Sequence, residues 1–415
     1  MRAPLAILLV VLLALPATSA LPLPPPTAPP AAHATFDRTA YRAQVDKAVQ
    51  FALGYQKPDG GVYEYAFLLK DQDASLALKL LAGSETLPVR GSNLSALIHY
   101  FESVQGVDGS FGSGSTVPTV TTQAIDGLLD AGYDQGSTVM TRALNYVRLS
   151  QGVDGSWSDG GSPASHQTAF DVEVLLRAGT ARDDARLQQA IGFILSCQNG
   201  ASGGFAPTTG FFETPAATAD VIWGLDAYLR APATGRETYT QAQVQAAVDA
   251  ALGYLAAQLD PVTHYWQQNV GANAQIVGPV ARYYAARDLA QPQWLLDGAQ
   301  VLLDHQNAQG GLTYNSGSGV AVDWTFAAFA GVNEIARTLG STDSMSVQTT
   351  VAQDGAYSAP TTSVTLVNDA GATVASASGP AGFLTLSWTS LPAGHYTARV
   401  ASAGATTSST TVWIG

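Results

Sequence analysis

Gln151-Gly152-Val153-Asp154-Gly155-Ser156-Trp157 decides how the whole chain is read, because it is written more than once. Gln105-Gly106-Val107-Asp108-Gly109-Ser110-Phe111 is nearly the same heptapeptide. Looser copies run from Gln56 to Val62 and from Gln306 to Leu312. Gln198 to Phe205 carries one extra residue, and Gln258 to Trp266 is a worn copy. The glutamines stand 49, 46, 47, 60 and 48 residues apart. A period this long marks a repeat architecture.

Each glutamine closes a run with helical spacing. Ala143, Leu144, Tyr146 and Val147 precede Gln151; Ala190, Ile191, Phe193 and Ile194 precede Gln198. Apolar pairs three and four apart make one face of a helix. The glycines that follow stop it, since glycine takes the left-handed conformation without a side-chain clash. The aromatic after them is placed to fold back over the helix end, and the glutamine amide to hydrogen-bond loop backbone. A second helix is predicted after each loop, at Asp73 to Ala82, Gln123 to Ala131, Thr168 to Ala178, Ala217 to Tyr228, Gln275 to Ala286 and Val322 to Ala336. The unit is helix, glycine-aromatic loop, helix. Six such units closed into a ring need no capping repeat. The expected class is mainly α, an (α/α)6 toroid over residues 36–340.

The ends read differently. In residues 1–20, Arg2 precedes an apolar run from Leu5 to Leu15 that is too short to span a bilayer; Pro16 and Thr18-Ser19-Ala20 follow. That is the pattern of a signal peptide, so a secreted, extracellular, periplasmic or cell-surface protein is expected. Residues 21–35 are a Pro/Ala-rich linker. Residues 341–415 turn to Ser, Thr and Val. Ser363 to Val367 and Gly382 to Trp388 alternate with period two between turn residues, which predicts a small β-sandwich. It resembles the immunoglobulin-like modules of secreted proteins. With 32 acidic against 19 basic residues, the formal charge of −13 speaks against nucleic acid and anionic membrane surfaces as partners. No other stretch is long enough to cross a membrane. Cys197 is the single cysteine and reads as a small core residue.

The Gln-x-x-x-Gly-Ser-Trp pattern after an aromatic-bearing helix resembles the QW motif of squalene and terpene cyclases. It equally resembles the repeats of protein prenyltransferase β subunits, over roughly residues 40–340. The resemblance implies that the helix before each motif is outer and the helix after it lines a central cavity. The same toroid serves non-enzymes, including thioester-containing complement domains and cobalamin carriers. In class II cyclases an Asp-x-Asp-Asp motif keeps its middle acid protonated to start a carbocation. Asp71-Gln72-Asp73-Ala74 resembles its first two acids, so the resemblance puts Asp73 in the proton donor's place with Asp71 beside it. Prenylation needs a zinc held by Asp, Cys and His. The six histidines here form no ligand spacing, so no metal and no cofactor is expected.

Asp73, Asp126, Asp171, Asp220 and Asp323 each fall near the start of a predicted inner helix, with Gln275 in the fifth slot. Acids there complement the helix dipole by about 0.3–1 kcal/mol each. They also predict an acidic cavity mouth, where crowded carboxylates raise one another's pKa. Trp223 and Trp324, on the same helices, suit stacking on a sugar ring or holding a cation. Asp126, Asp171, Asp220, Asp323, Trp223 and Trp324 are the ligand-binding candidates, and Asp71 and Asp73 the catalytic ones. The expected ligand is an isoprenoid, a glycan or a protein bound at the mouth. The competing expectation is an enzyme, either cyclase-like or a glycan-active hydrolase or lyase, for which Glu213 is an isolated candidate acid.

Overall fold

The computed structural model describes residues 38–64, 70–84, 89–112, 117–159, 161–287, 289–314, 319–338, 344–349, 361–368, 371–380, 382–387, 394–402 and 408–414. The signal peptide and linker expected in residues 1–35 lie outside them.

The helices, in chain order, are α1 (Arg38–Leu53), α2 (Lys70–Ala82), α3 (Leu94–Val104), α4 (Val117–Asp130), α5 (Thr138–Leu149), α6 (Ser165–Arg177), α7 (Ala185–Ser196), α8 (Pro215–Arg230), α9 (Gln241–Gln258), α10 (Val270–Ala285), α11 (Gln293–Asp304) and α12 (Val322–Thr338). The even helices coincide with the six predicted second helices, mostly starting a few residues earlier and in three cases ending one residue sooner. They pack in sequence, α2 on α4, α4 on α6 and onward, and α12 packs on both α10 and α2. That last contact closes the ring. Burial fits the two shells. Helix α6 is buried on nearly every face, whereas α9 buries one stripe and leaves the rest exposed, as an outer helix must. Short antiparallel ribbons β1 (Trp157–Asp159) with β2 (Ser162–Ala164), and β3 (Leu312–Thr313) with β4 (Val320–Ala321), lead into α6 and α12.

The repeated heptapeptide is the joint between hairpins. Gln151 Nε2 donates to its own loop at Gly155 O and to Arg186 O of the next outer helix, both at 2.9 Å. Gln105 does the same with Gly109 and Val139, and Gln198 with Gly203 and Ala247. Gln56 reaches Gly60 and Asn93, and Asn93 Nδ2 answers to Gln56 Oε1 at 2.7 Å. Gln306 completes the circle, bonding Gly310 O and then Gln44 O in α1. The loop glycines have φ between 83° and 97°, the left-handed side that favours glycine. They also lie flat on the next outer helix: a Cβ on Gly155 would stand 2.7 Å from the Gln189 carbonyl. The aromatic covers the helix end as expected, Trp157 Nε1 donating to Val147 O at 2.7 Å.

The worn fifth copy keeps only part of this. Trp266 Nε1 still donates to Leu255 O at 2.8 Å, but Gln258 is exposed and makes no such joint. Without glycine in the loop, His264, Gln267 and Gln268 take positive φ themselves, at about 1–3 kcal/mol each.

In the tail, strands β5 (Ser344–Thr349), β6 (Thr361–Val367), β7 (Thr373–Pro380), β8 (Gly382–Ser387), β9 (Gly394–Ser402) and β10 (Ser408–Ile414) form two antiparallel sheets. One has the order β10-β9-β6-β7; the other pairs β5 with β8. Val364, Leu366, Ala375, Leu384, Leu386, Tyr396 and Ala398 form one core between them. The period-two alternation of β6 thus points its apolar side chains into a small β-sandwich.

Candidate functional site

One polar side chain anchors each inner helix except α2 to the loop before it. Thr121, Thr168, Thr218 and Thr325 accept, through Oγ1, the backbone N–H of Phe111, Trp157, Phe205 and Leu312 at 2.8–2.9 Å. Asn273 Oδ1 does so for Trp266 at 3.1 Å. These five residues are structurally equivalent, and Ala74 takes the corresponding place in α2. Counted from them, the residues facing the ring's central cavity fall into levels. Two residues before stand Gln72, Thr119, His166 and Asp323. Two after stand Leu76, Gln123, Phe170, Asp220, Gln275 and Ala327. Five after stand Lys79, Asp126, Glu173, Trp223, Gly278 and Ala330. Steps of four and three keep to one face of a helix. The cavity they enclose has a volume of about 290 Å³.

The expected rim of five level aspartates is corrected by this register. Asp323, Asp220 and Asp126 face the cavity, but at three different depths. Asp171 lies three residues after its anchor, behind the wall. It is buried between helices, accepting the Thr122 hydroxyl at 2.5 Å and the Gln167 amide at 2.8 Å. Burial pushes its carboxyl up to about 7 against the pull of those two bonds. Thr168, inside α6, donates to Ala164 O and accepts the Trp157 N–H. Asp73 and Asp71 are buried beside the cavity and are not on its wall. Asp73 Oδ2 accepts the Glu64 N–H at 3.1 Å, and burial raises its carboxyl to about 6. Asp71 Oδ1 accepts the Tyr100 hydroxyl at 2.5 Å; burial and this bond hold that phenol far above its ordinary range. Glu213 is a half-buried loop residue tied to Asn199 and Ser202.

Toward the inner-helix C-termini the cavity ends in an ion cluster. Lys79 Nζ lies 2.7 Å from Asp126, and Arg177 pairs with Asp126, with Asp130 at 2.7 Å and with Glu173 at 3.3 Å. Arg282 reaches Glu173 at 3.3 Å and Asp126 at 3.6 Å. Burial alone would raise Asp126, but Lys79, Arg177 and Arg282 hold it below the usual carboxylate range. Glu173 goes the other way, raised by burial and by the Asp126 charge. Trp223 roofs the cluster, with Lys79 Nζ 3.3 Å from its ring centre and the Arg282 guanidinium 4.9 Å away. Phe170 meets Trp223 edge-on at 6.1 Å. One turn above Trp223, Asp220 faces the cavity with protein on its other sides. Burial pushes it up to about 7, with His166 pulling down.

The chain matches no protein-family model and no curated protein. Solved structures do match in shape. The type II terpene cyclase MstE from Scytonema superposes with a TM-score of 0.53 at 12% identity, covering 73% of this chain and 99% of that one. A possible GH105 family member from Salmonella enterica serovar Paratyphi A gives 0.52 at 8%, covering 74% and 96%. A family 76 glycoside hydrolase from a bovine Bacteroides thetaiotaomicron strain gives 0.52 at 10%, covering 73% and 79%. The fold is a terpenoid cyclase-like α/α toroid. At these identities the likeness is one of fold, and the toroid does not select between a cyclase and a glycosidase.

Sequence reading placed Trp223, Trp324, Asp126, Asp220 and Asp323 on the toroid's inner helices, and each faces the cavity. It missed the cations. Lys79, Arg177 and Arg282 each stand in the last turn of an inner helix, where the helix dipole favours them. That repeated basic last turn was the available signal. It placed Gln275 in the fifth slot, where it faces the cavity, but missed Gln72, Gln123 and His166, which look like ordinary polar residues until the register is known. Among the described residues, no group of His, Cys, Asp and Glu is arranged to hold a metal, and no helix is long and apolar enough to cross a membrane.

Proposed function

We propose that the protein is exported and binds a small, hydroxyl-rich ligand of the saccharide class in the toroid's cavity, with the C-terminal sandwich as an immunoglobulin-like spacer. The observation that carries this is the occupation of Trp223. A carbocation needs bare aromatic faces, and this one already carries the Lys79 ammonium at 3.3 Å. A second cation in the same space is repelled. The upper wall favours a neutral polyol instead. Gln72, Gln123 and Gln275 offer both donors and acceptors. Asp220 and Asp323 add acceptors, and Phe170 and Trp324 add ring faces. The volume is near the lower limit of small-molecule sites, roughly 300–1,000 Å³.

A second reading keeps Asp73 as the acid of a cyclase-like reaction. Its raised carboxyl and the shared fold with MstE support it. Calorimetry of the purified chain against neutral mono- to tetrasaccharides and against geranylgeraniol separates the two. Saccharide binding that weakens at least tenfold in Gln123→Ala or Gln275→Ala is expected. Binding of geranylgeraniol with no response to any sugar would reject the saccharide reading. Export is tested by sequencing the N-terminus of the protein recovered outside the cytoplasm.

A further inference from the structure

We infer that Asp220 is the proton-donating acid of a glycosidic-bond cleavage carried out in this cavity, an assignment that rests on the saccharide reading above. Three features of its placement lead there. Asp220 is the wall carboxyl with its hydrogen-bonding capacity unspent. Asp126 and Glu173 are locked to Lys79, Arg177 and Arg282, and Asp323 Oδ1 accepts the Trp324 N–H at 2.8 Å. Asp220 makes no hydrogen bond to any described residue, and it faces the void.

The second feature is the seam behind it. Gly224, one turn along α8, lies so close to α6 that a Cβ there would stand 2.3 Å from the Ala169 carbonyl oxygen. The two helices are therefore in direct contact one turn along from Asp220. His166 and Phe170, one turn apart on α6, stand on the cavity wall with Asp220. The same enclosure keeps the carboxyl protonated up to about pH 7, with His166 limiting the rise. The third feature is the pairing of unlike carboxyls. Glu334 lies on the wall where its charge acts on Arg282, whereas Asp323 stands one level nearer the helix N-termini than Asp220 and suits a base.

The step balances with water as the co-reactant. The Asp220 proton passes to the bridging oxygen as the bond from that oxygen to the anomeric carbon breaks, and the electron pair leaves with the oxygen. A water oxygen bonds the anomeric carbon and gives its proton to Asp323. Proton return through solvent restores both groups.

The test uses the full chain on matched methyl and 2,4-dinitrophenyl glycosides of common hexoses and uronic acids. A dinitrophenolate leaves without a proton; a methoxide does not. Asp220→Asn is expected to lose about 10²–10⁴-fold on methyl glycosides but less than tenfold on the dinitrophenyl series. Asp220→Glu, which retains an acid, is expected to recover part of the methyl activity. Equal losses on both series would reduce Asp220 to a structural residue and overturn the assignment. Sugar binding by calorimetry with no turnover of either series by the wild type would overturn it while leaving the binding reading intact. Absence of any sugar binding would remove both.

Discussion

At the scale of single residues, two demands coincide at each loop glycine, and they can be measured apart. Gly155 has φ +87° and lies against the Gln189 backbone, whereas Gly210 has φ +83° and open space around it. Gly210→Ala is expected to cost about 1–2 kcal/mol, the left-handed term alone. Gly155→Ala adds overpacking of roughly 1–3 kcal/mol, and the difference appears as a lower urea midpoint. Gln151→Ala should cost about 1–3 kcal/mol by leaving the Gly155 and Arg186 carbonyls without their donor. The local half of this joint was legible, because glycine and glutamine at fixed offsets state a backbone requirement. The distant half was not. Nothing in the heptapeptide names Arg186, thirty-five residues on. That partner follows only once helix length and ring closure are known.

Among the elements, the paired-helix unit was legible from apolar spacing, and the ring from a count of six units that can close on themselves. Depth within the ring was not. The loop residue (aromatic in four repeats, Leu312 in the last) and the side chain that anchors it are separated by 10, 11, 13, 7 and 13 residues in successive repeats. Grouping aspartates by their place near a helix start therefore mixes cavity-facing and buried positions: Asp220 falls on the wall and Asp171 behind it. Closure itself depends on a few residues. Asn333 in α12 accepts Arg42 Nη1 from α1 at 2.5 Å and donates to Gly83 O after α2 at 3.1 Å. Asn333→Leu leaves that buried carbonyl without this donor, and a loss of about 2–4 kcal/mol is expected. Native-state hydrogen exchange should quicken first in α1, α2 and α12, with α6 and α8 still protected. Uniform acceleration across all inner helices would show that the seam opens only with global unfolding.

Over the whole molecule, buried carboxyls set an unusual pH dependence. Asp171 and Asp220 are raised to about 7 and Asp73 to about 6, each from an ordinary value near 3.8. Between those limits the native chain holds protons that the unfolded chain releases. Their contribution is complete below about pH 4 and is lost as pH rises toward 7. Asp126 has the opposite sign. Held below its ordinary value by Lys79, Arg177 and Arg282 against the cost of burial, it stabilises above about pH 4 and loses that as pH falls. The two slopes meet in a maximum near pH 4–5, and Tm should fall by several degrees from there to pH 8. Self-repulsion at a formal charge of −13 pushes the same way, but salt separates the causes. Screening at 0.5 M removes long-range repulsion and leaves burial untouched. The decline should therefore persist in salt and flatten in Asp171→Asn, which removes one buried acid and almost none of the net charge. A Tm that climbs from pH 5 to 8, or a decline that salt abolishes, would mean that these carboxyls reach water in the folded chain.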